Sequence, residues 1–150
     1  EDIQIIVITG NNKKLYSELQ ELKESSSKNT KIIGFTNKVN MFMQCCDLLL
    51  TKPGGLTITE SLICGIPLVL FSPIPGQEEK NAEFLIKHGL AVNISHIDNC
   101  CNIIQELLND KTKLIRMKAN CRHYSKPHAG DDICNLINSI IKKKLKAETC

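Results

Sequence analysis

The hydrophobic and polar positions of this chain alternate between two kinds of segment. Short apolar runs such as "IQIIVIT" (3–9) are typical of strands that are buried on both faces of a sheet. Between these runs, apolar residues recur at helical spacing, as Leu15, Leu19 and Leu22 do. The pattern predicts strands at 3–9, 31–35, 47–51, 67–72 and 90–94, and helices at 13–24, 38–46, 56–64 and 77–88.

Repeated strand–helix units predict an α/β fold, in which helices cover both faces of one Rossmann-like, doubly wound parallel sheet. Beyond residue 94 the pattern changes to extra C-terminal helices at 98–109, 111–123 and 131–146. The last of them carries an apolar stripe formed by Ile133, Leu136, Ile137, Ile140, Ile141 and Leu145. We place Lys142, Lys143, Lys144 and Lys146 opposite this stripe, as a solvated face or, alternatively, a contact with anionic lipid headgroups.

The composition is that of an ordinary globular domain. The 150 residues suit one domain, with 42% hydrophobic and 23% charged residues. A net charge of +3 is too small to indicate nucleic-acid binding. No apolar run has the length of a membrane span and no signal peptide opens the sequence. We expect a cytoplasmic setting because the cysteine pattern, described next, is that of reduced thiols.

Eight cysteines raise the question of disulfides and metals. Cys45-Cys46 and Cys100-Cys101 are adjacent pairs, and no Cys-x-x-Cys occurs. Several cysteines fall on apolar faces of predicted helices, where a thiol behaves as a small hydrophobe. The four histidines show no metal-ligand spacing with carboxylates. We therefore predict reduced, structural cysteines, no disulfide and no metal site.

Ligands of such sheets bind at the carboxyl ends of the strands, which directs attention to the turns at 10–13, 34–37, 52–57 and 73–81. The turn "KPGGLT" (52–57) lies between a strand and a helix. Its two glycines let an anion approach the main chain, and the first N–H groups of the helix favour negative charge. The turn is neither a Walker A loop nor a G-x-G-x-x-G fingerprint. Phosphate binding and a bare structural turn both remain open.

Two other polar stretches also have two interpretations. Thr57 and Glu60 have the spacing of a capping box, in which Glu60 only satisfies a helix N–H group. Alternatively, the Glu60 carboxylate accepts hydrogen bonds from a ribose diol beside a bound phosphate. "PGQE" (75–78) is either a rigid turn or a site where Gln77 and Glu78 recognise hydroxyl groups.

Taken together, these motifs are familiar. "DLLLTKPGGLTITESLICGIPLVLFSPIPGQEEKNAEFLIKHGLAV" (47–92) resembles the C-terminal half of the family 28 GT-B glycosyltransferases that place sugars on diacylglycerol. These are the monogalactosyldiacylglycerol synthase and processive diacylglycerol glucosyltransferase group. "ITGNN…L" near the start, "IGF" (33–35) and "MKAN" (117–120) extend the resemblance over most of the chain.

The resemblance implies a donor-binding domain that holds a UDP-hexose for an inverting hexosyltransferase. Main-chain groups around Thr36 would hold the uracil, "GGLT" the diphosphate, Glu60 the ribose, and Gln77 with Glu78 the hexose. Asn81 would support the loop. The implied donor-binding residues are Gly34, Phe35, Thr36, Gly54, Gly55, Leu56, Thr57, Glu60, Gln77, Glu78 and Asn81. The family generally needs no cofactor and no metal, because the helix N-terminus carries the charge of the leaving diphosphate.

The sequence also departs from the family pattern. The acceptor-binding N-terminal domain, which supplies the catalytic base, is missing, as are the first strand of the donor domain and its glycine-rich loop. We therefore expect residues 1–150 to be a fragment or one chain of a split enzyme, to contain no catalytic residue, and to be inactive alone. The parent enzyme would meet its N-terminal domain, a lipid acceptor and the inner face of the membrane, and no nucleic acid.

Three alternatives to this interpretation stay open. The first is a non-catalytic interaction module derived from a GT-B domain. The second is a transferase half for another lipid acceptor, such as a peptidoglycan lipid intermediate, and the third is a nucleotide-sugar epimerase. An intact "PGQE" beside "KPGGLT" favours the diacylglycerol transferase, because a module without a donor has no use for these polar groups. Glucose and galactose both fit as the hexose.

Overall fold

The computed structural model describes residues 3–25 and 29–148. The strands are β1 (Ile5–Ile8), β2 (Thr30–Ile33), β3 (Leu49–Thr51), β4 (Leu68–Phe71) and β5 (Ala91–Ile94). The helices are α1 (Lys13–Ser25), α2 (Val39–Cys45), α3 (Gly55–Cys64), α4 (Gln77–Lys87), α5 (Cys100–Asn109), α6 (Lys111–Tyr124) and α7 (Ala129–Glu148). A short 3-10 turn at Ile97–Asn99 precedes α5. The predicted order of strands and helices is confirmed throughout.

The chain divides into two compact units, residues 1–42 and residues 43–150. In the first unit β1 and β2 pair in parallel, and in the second β4 lies between β3 and β5, again in parallel. The parallel α/β class is therefore confirmed. The prediction of one five-stranded sheet is wrong for the described residues, which form a two-stranded and a three-stranded sheet. Apolar periodicity identifies a strand but carries no information about its hydrogen-bonded neighbour.

The core of the second unit is built on β4, whose residues Leu68, Val69 and Leu70 are fully buried. Successive side chains of a strand point to opposite faces. Leu68 and Leu70 accordingly pack in a cluster with residues of α3, α4 and α6, whereas Val69 packs with residues of α5 and α6. Helices thus cover both faces of this sheet, as a doubly wound fold requires.

Strand β1 is less buried than its apolar sequence predicts. Ile5 is 50% exposed, and Ile3, just before the strand, is 39% exposed, so β1 is not covered on both faces in the first unit. Within that unit α1 packs against β2. An apolar run therefore predicted the strand correctly but overestimated its burial.

The cysteines are also more exposed than predicted. Of the seven that the structure describes, Cys121 is buried, whereas Cys45, Cys101 and Cys134 are exposed, and none is in a disulfide. Cys150 lies outside the described residues. The Cys121 thiol donates a hydrogen bond to the carbonyl oxygen of Ile66 over 3.3 Å, and burial raises its pKa to about 11. The proposal that cysteines act as buried hydrophobes holds for Cys121.

Candidate functional site

Helix α3 begins with main-chain N–H groups that have no acceptor among the described residues. Gly54 is the N-cap residue, in an extended conformation and with no side chain to cap the helix. The first helical hydrogen bond runs from the N–H of Ile58 to the oxygen of Gly54, over 3.0 Å. The N–H groups of Gly55, Leu56 and Thr57 are therefore free, at the positive end of the helix dipole. This is the geometry that binds phosphates.

Nothing in the protein itself explains the two glycines at this helix start. Gly54 has φ −73°, and neither glycine is in the left-handed region, so both backbones suit other residues. A Cβ atom placed on Gly54 or Gly55 would meet no other atom within 4 Å. The space beside these main-chain groups is therefore open, which allows a ligand to approach them closely.

Glu60 does not form the capping box that its spacing suggests. Because α3 begins at Gly55, Thr57 is the third residue of the helix and not its N-cap. Glu60 is exposed and has no hydrogen bond or ion pair with any described residue. The capping interpretation is wrong, since the N-cap is Gly54, three residues before the threonine that the capping box would need there. The Glu60 carboxylate is free to bind a ligand.

Asn81 connects the first turns of α4 to the "KPGG" turn. Its amide nitrogen Nδ2 donates a hydrogen bond to the carbonyl oxygen of Pro53 over 3.0 Å. Pro53 is buried and directly precedes Gly54. Asn81 therefore fixes the main chain where α3 starts, and lies where a supporting residue for this turn is needed.

The loop between β4 and α4 is ordered by two glutamates. A carboxylate oxygen of Glu78 accepts a hydrogen bond from the N–H of Ile74 at 2.8 Å, and one of Glu79 accepts from the N–H of Gly76 at 3.0 Å. One oxygen of the Glu78 carboxylate therefore stabilises the turn, as the rigid-turn interpretation of "PGQE" predicts. Gln77 is exposed, and its side chain contacts no polar group of the described residues. Gln77 is accordingly the freer of the two predicted hexose contacts.

Two residues at this turn were not predicted from the sequence. Glu79 makes the capping contact, and its position three residues after Gly76 is the signal that could have revealed it. Ser72 has φ 43°, in the left-handed region that residues other than glycine rarely adopt. Such strain clusters at functional sites, and here it lies at the carboxyl end of β4.

Three of the predicted site residues, Gly34, Phe35 and Thr36, belong to the first unit, and the other eight belong to the second. Phe35 is 72% exposed. The hydroxyl oxygen of Thr36 accepts a hydrogen bond from the N–H of Lys38 over 3.1 Å, in the turn before α2. A depression of about 460 Å³ lies here, lined by Gly10, Asn11, Lys13, Tyr16, Ser17, Gly34 and Phe35.

This depression lies at the carboxyl ends of β1 and β2, where the topology places ligands. The ring of Tyr16 would be 3.8 Å from a Cβ atom added to Gly34, so the glycine leaves room beside the ring. Tyr16 was not predicted as a site residue. Its signal in the sequence is weak, because it lies one turn into α1 and not in the strand-end turn at 10–13.

Metal ligands were not expected in this chain. Within the described ranges, no group of three or more histidine, cysteine, aspartate or glutamate side chains is arranged to hold a metal ion. A donor site that works without metal stays a prediction.

Comparisons with known proteins agree with the motifs. The profile of the glycosyltransferase family 28 C-terminal domain matches residues 1–133. A processive diacylglycerol beta-glucosyltransferase of Bacillus pumilus is 33% identical over 132 residues, which are 88% of this chain and 34% of the relative. The chain therefore spans about a third of the length of this curated relative.

Solved structures show the same fold at lower identity. MurG of Acinetobacter baumannii superposes with a TM-score of 0.74 at 21% identity, over 93% of this chain and 42% of MurG. Anabaena Alr3699/HepE in complex with UDP-glucose gives a TM-score of 0.63 at 20% identity, over 91% of this chain and 41% of that one. Both structures contain substantially more chain than the part that matches.

Proposed function

Because this chain belongs to the glycosyltransferase family 28 C-terminal domain family, we propose that it is the UDP-sugar-binding part of an inverting transferase that moves a hexose to diacylglycerol. The observation that carries the proposal is the start of α3, where free N–H groups meet two glycines with open space beside them. The relatives named as diacylglycerol glucosyltransferases support the acceptor class. The UDP-glucose complex of Alr3699/HepE supports the donor class.

In this proposal the diphosphate lies against the N–H groups of Gly55, Leu56 and Thr57. Their partial positive charge stabilises the negative charge that develops on the leaving UDP, without a metal ion. Glu60 accepts hydrogen bonds from the ribose hydroxyls, and Gln77 with the remaining oxygen of Glu78 faces the hexose. Gly34, Phe35 and Thr36 contact the uracil, next to the depression that Tyr16 lines.

The chemical step needs a base that lies outside this chain. The base removes the proton of the acceptor hydroxyl, whose oxygen attacks the anomeric carbon of the hexose. The bond from that carbon to the diphosphate breaks, and UDP leaves with the electron pair. The residues of this chain bind and orient the donor and stabilise the leaving group, whereas the remainder of the parent enzyme supplies the base and the acceptor site.

The lipid acceptor places the reaction at a membrane surface, and we propose that the parent enzyme binds peripherally at its cytoplasmic side. Within residues 3–25 and 29–148, no helix combines the length and the apolar character that a membrane-spanning segment needs. Association through a surface is thus the mode that we propose for the described part of the chain.

Glu60→Gln tests the donor site, measured by titration calorimetry with UDP. A carboxylate that holds the ribose diol makes charge-assisted hydrogen bonds, so the change should weaken UDP binding by about 1–3 kcal/mol, or roughly 5- to 150-fold. The melting temperature should not change, because Glu60 has no partner in the protein. Glu83→Gln, at another exposed position, is the matched control and should leave UDP affinity unchanged. Equal affinity in both variants removes Glu60 from the site.

Gly55→Val tests the close approach to the main chain. The added side chain meets no protein atom through its Cβ, so the variant should fold, and Gly55→Ala should be as stable as the wild type or more stable by up to about 1 kcal/mol. UDP affinity should nevertheless fall more than about tenfold in the valine variant, as the space for the phosphate is filled. A valine variant that binds UDP normally, or a wild-type chain that binds no UDP at all, contradicts the proposed function.

A further inference from the structure

Two accessible aromatic rings line the depression at the carboxyl ends of β1 and β2. The sequence contains six aromatic residues, two tyrosines and four phenylalanines, and both Tyr16 and Phe35 lie here. Tyr16 is 37% exposed and Phe35 is 72% exposed, so neither ring is buried in the core. Aromatic rings that stay accessible in a concave surface offer a flat contact to a planar ligand. The lining of the depression therefore indicates a ligand with a planar ring.

Gly34 leaves room beside the Tyr16 ring although its backbone does not require a glycine. Its φ is outside the left-handed region, so other residues can adopt its conformation. A Cβ atom added to Gly34 would lie 3.8 Å from Cδ2 and 4.0 Å from Cε2 of Tyr16, which is ordinary van der Waals contact. The fold thus tolerates a side chain at this position, but that side chain would fill the space next to the ring. As at Gly54 and Gly55, the missing side chain keeps open a space that a ligand can occupy.

The polar groups of the depression suit a ligand that carries hydrogen-bond acceptors and negative charge. The side chains of Asn11 and Lys13 have no hydrogen bond or ion pair with any described residue. Both are donors, and the lining contains no aspartate or glutamate. A pyrimidine base offers carbonyl oxygens as acceptors, and the nucleotide that carries it is an anion. A hexose presents hydroxyl donors, for which the depression has no carboxylate acceptor.

We propose that Tyr16 determines the affinity of the donor site for its nucleobase, which stacks on the Tyr16 ring in this depression. Every base has a π face, so stacking on an aromatic side chain strengthens binding with little dependence on the base. The ring of Tyr16 makes this contact, and its hydroxyl group is not needed. The inference rests on the proposed function, because the ligand is the UDP of that site. It adds a residue of α1 that none of the donor-binding motifs contains.

Tyr16→Ala removes the ring and is the first test. UDP affinity, measured by titration calorimetry, should fall roughly 5- to 150-fold, which is the range for the loss of one base-stacking contact. Tyr16→Phe is the matched control, since it keeps the ring and loses only the hydroxyl group. This control should bind UDP as the wild type does.

Gly34→Val covers the ring while Tyr16 stays in place. The variant should fold, because the added Cβ makes only ordinary contacts, and its melting temperature checks this. UDP affinity should nevertheless fall, since the side chain fills the space for the base. Because both changes remove the same contact, the double variant with Tyr16→Ala should bind UDP about as weakly as the weaker single variant.

Two smaller probes separate the base from the diphosphate. The ring protons of uridine should shift upfield in nuclear magnetic resonance spectra when the base lies over an aromatic ring. The shift should occur with the wild type and Tyr16→Phe and be lost with Tyr16→Ala. Inorganic pyrophosphate probes the start of α3, so Gly55→Val should weaken its binding whereas Tyr16→Ala should not.

Several outcomes would overturn the role of Tyr16 and leave the diphosphate site standing. One is unchanged UDP affinity in Tyr16→Ala, and another is a wild-type chain that binds pyrophosphate but not uridine. Equal losses in Tyr16→Phe and Tyr16→Ala would assign the contact to the hydroxyl group and not to the ring. Displacement of bound uridine by glucose would assign the depression to the hexose. A chain that binds uridine at Tyr16 but no pyrophosphate supports the inference and counts against the proposed diphosphate site.

Discussion

At the scale of single residues, the candidate donor site consists of polar groups that the protein leaves unused. The N–H groups at the start of α3, the Glu60 carboxylate and the Gln77 amide have no partner among the described residues. In the interior the opposite holds, since no buried side-chain nitrogen or oxygen of the described residues lacks a hydrogen bond. Free polar groups beside two unexplained glycines thus indicate where a polar ligand binds.

The residues of this site could be predicted from the sequence, whereas the hydrogen bonds that each residue makes could be predicted only in part. "KPGGLT" and "PGQE" were located correctly at strand ends, because glycine and proline mark turns directly. The roles of Glu60, Glu78 and Glu79 depend on where each helix starts, because a shift of the N-cap by a few residues changes which glutamate reaches a free N–H group. In α3 the N-cap lies three residues before Thr57. That shift follows from glycine N-caps, which the Thr-x-x-Glu spacing does not reveal.

The buried thiol of Cys121 predicts a pH dependence of stability. Its pKa is about 11 in the folded protein and 9.0 without burial. Between these values the unfolded thiol loses its proton while the folded one keeps it. The contribution of this thiol to the free energy of unfolding is therefore complete below pH 9 and decreases as the pH rises to about 11, by up to about 2–3 kcal/mol.

Cys121→Ala provides the comparison. The variant should be less stable at every pH because it loses buried volume, but its free energy of unfolding should fall less between pH 9 and about 11. All other side chains are the same in both proteins, so their contributions cancel in the difference. Urea denaturation of both proteins across this range measures it. Parallel curves would show that the thiol stays equally ionised in the folded and unfolded states.

At the scale of elements, α4 links the donor site to the core. Its first turns order the loop before it and contact Pro53, as described for Glu78, Glu79 and Asn81. Its last turn is held by α6, where the Asn120 amide donates to the carbonyl oxygens of His88 and Gly89 over 3.1 and 3.2 Å. The Tyr124 hydroxyl also contacts the Nδ1 atom of His88 at 2.6 Å. The N-terminal end of α4 thus orders the loop and the turn of the candidate donor site, whereas its C-terminal end is bound to α6.

Asn120→Leu tests this division, since Asn120 belongs to the family-like "MKAN" stretch. The variant leaves two carbonyl groups without their donor, so the free energy of unfolding should fall by about 1–3 kcal/mol. UDP affinity should stay that of the wild type, because Asn120 contacts the end of α4 farthest from Gln77. Asn102→Leu, at an exposed position of α5, is the control for the substitution itself. A loss of UDP affinity at full stability would place Asn120 in the donor site.

Element boundaries were predicted closely, because they depend on local signals. Gly65, for example, ends α3 with φ 69° and donates its N–H to the oxygen of Leu62 over 3.0 Å. Strand pairing and strand burial were predicted less well, since both depend on residues far away in the sequence. The exposure of Ile5 and the division into two sheets are the two examples in this chain.

At the scale of the whole molecule, the chain belongs to the glycosyltransferase family 28 C-terminal domain family and contains the motifs to which we assign donor binding. It matches 34% of the length of the Bacillus pumilus relative, whose name describes transfer of glucose to diacylglycerol. Fold similarity alone would not establish that activity, because one fold supports many functions. The family assignment together with the free polar groups at α3 supports it more directly.

The last prediction concerns catalysis by the chain alone. Since the proposed reaction needs a base to deprotonate the acceptor hydroxyl, and we assign that base to another part of the enzyme, the 150-residue chain should bind UDP but transfer no hexose to diacylglycerol. General base catalysis typically contributes about 10²–10⁴-fold in rate, and positioning of the acceptor adds to this. Radiolabelled UDP-glucose and UDP-galactose with diacylglycerol in mixed micelles measure the transfer, and an intact relative serves as the positive control. Turnover comparable to that of the relative would contradict the prediction, because the chain would then contain its own base and acceptor site. Turnover that appears only after a separately expressed acceptor-binding domain is added would locate the base and the acceptor site in that domain.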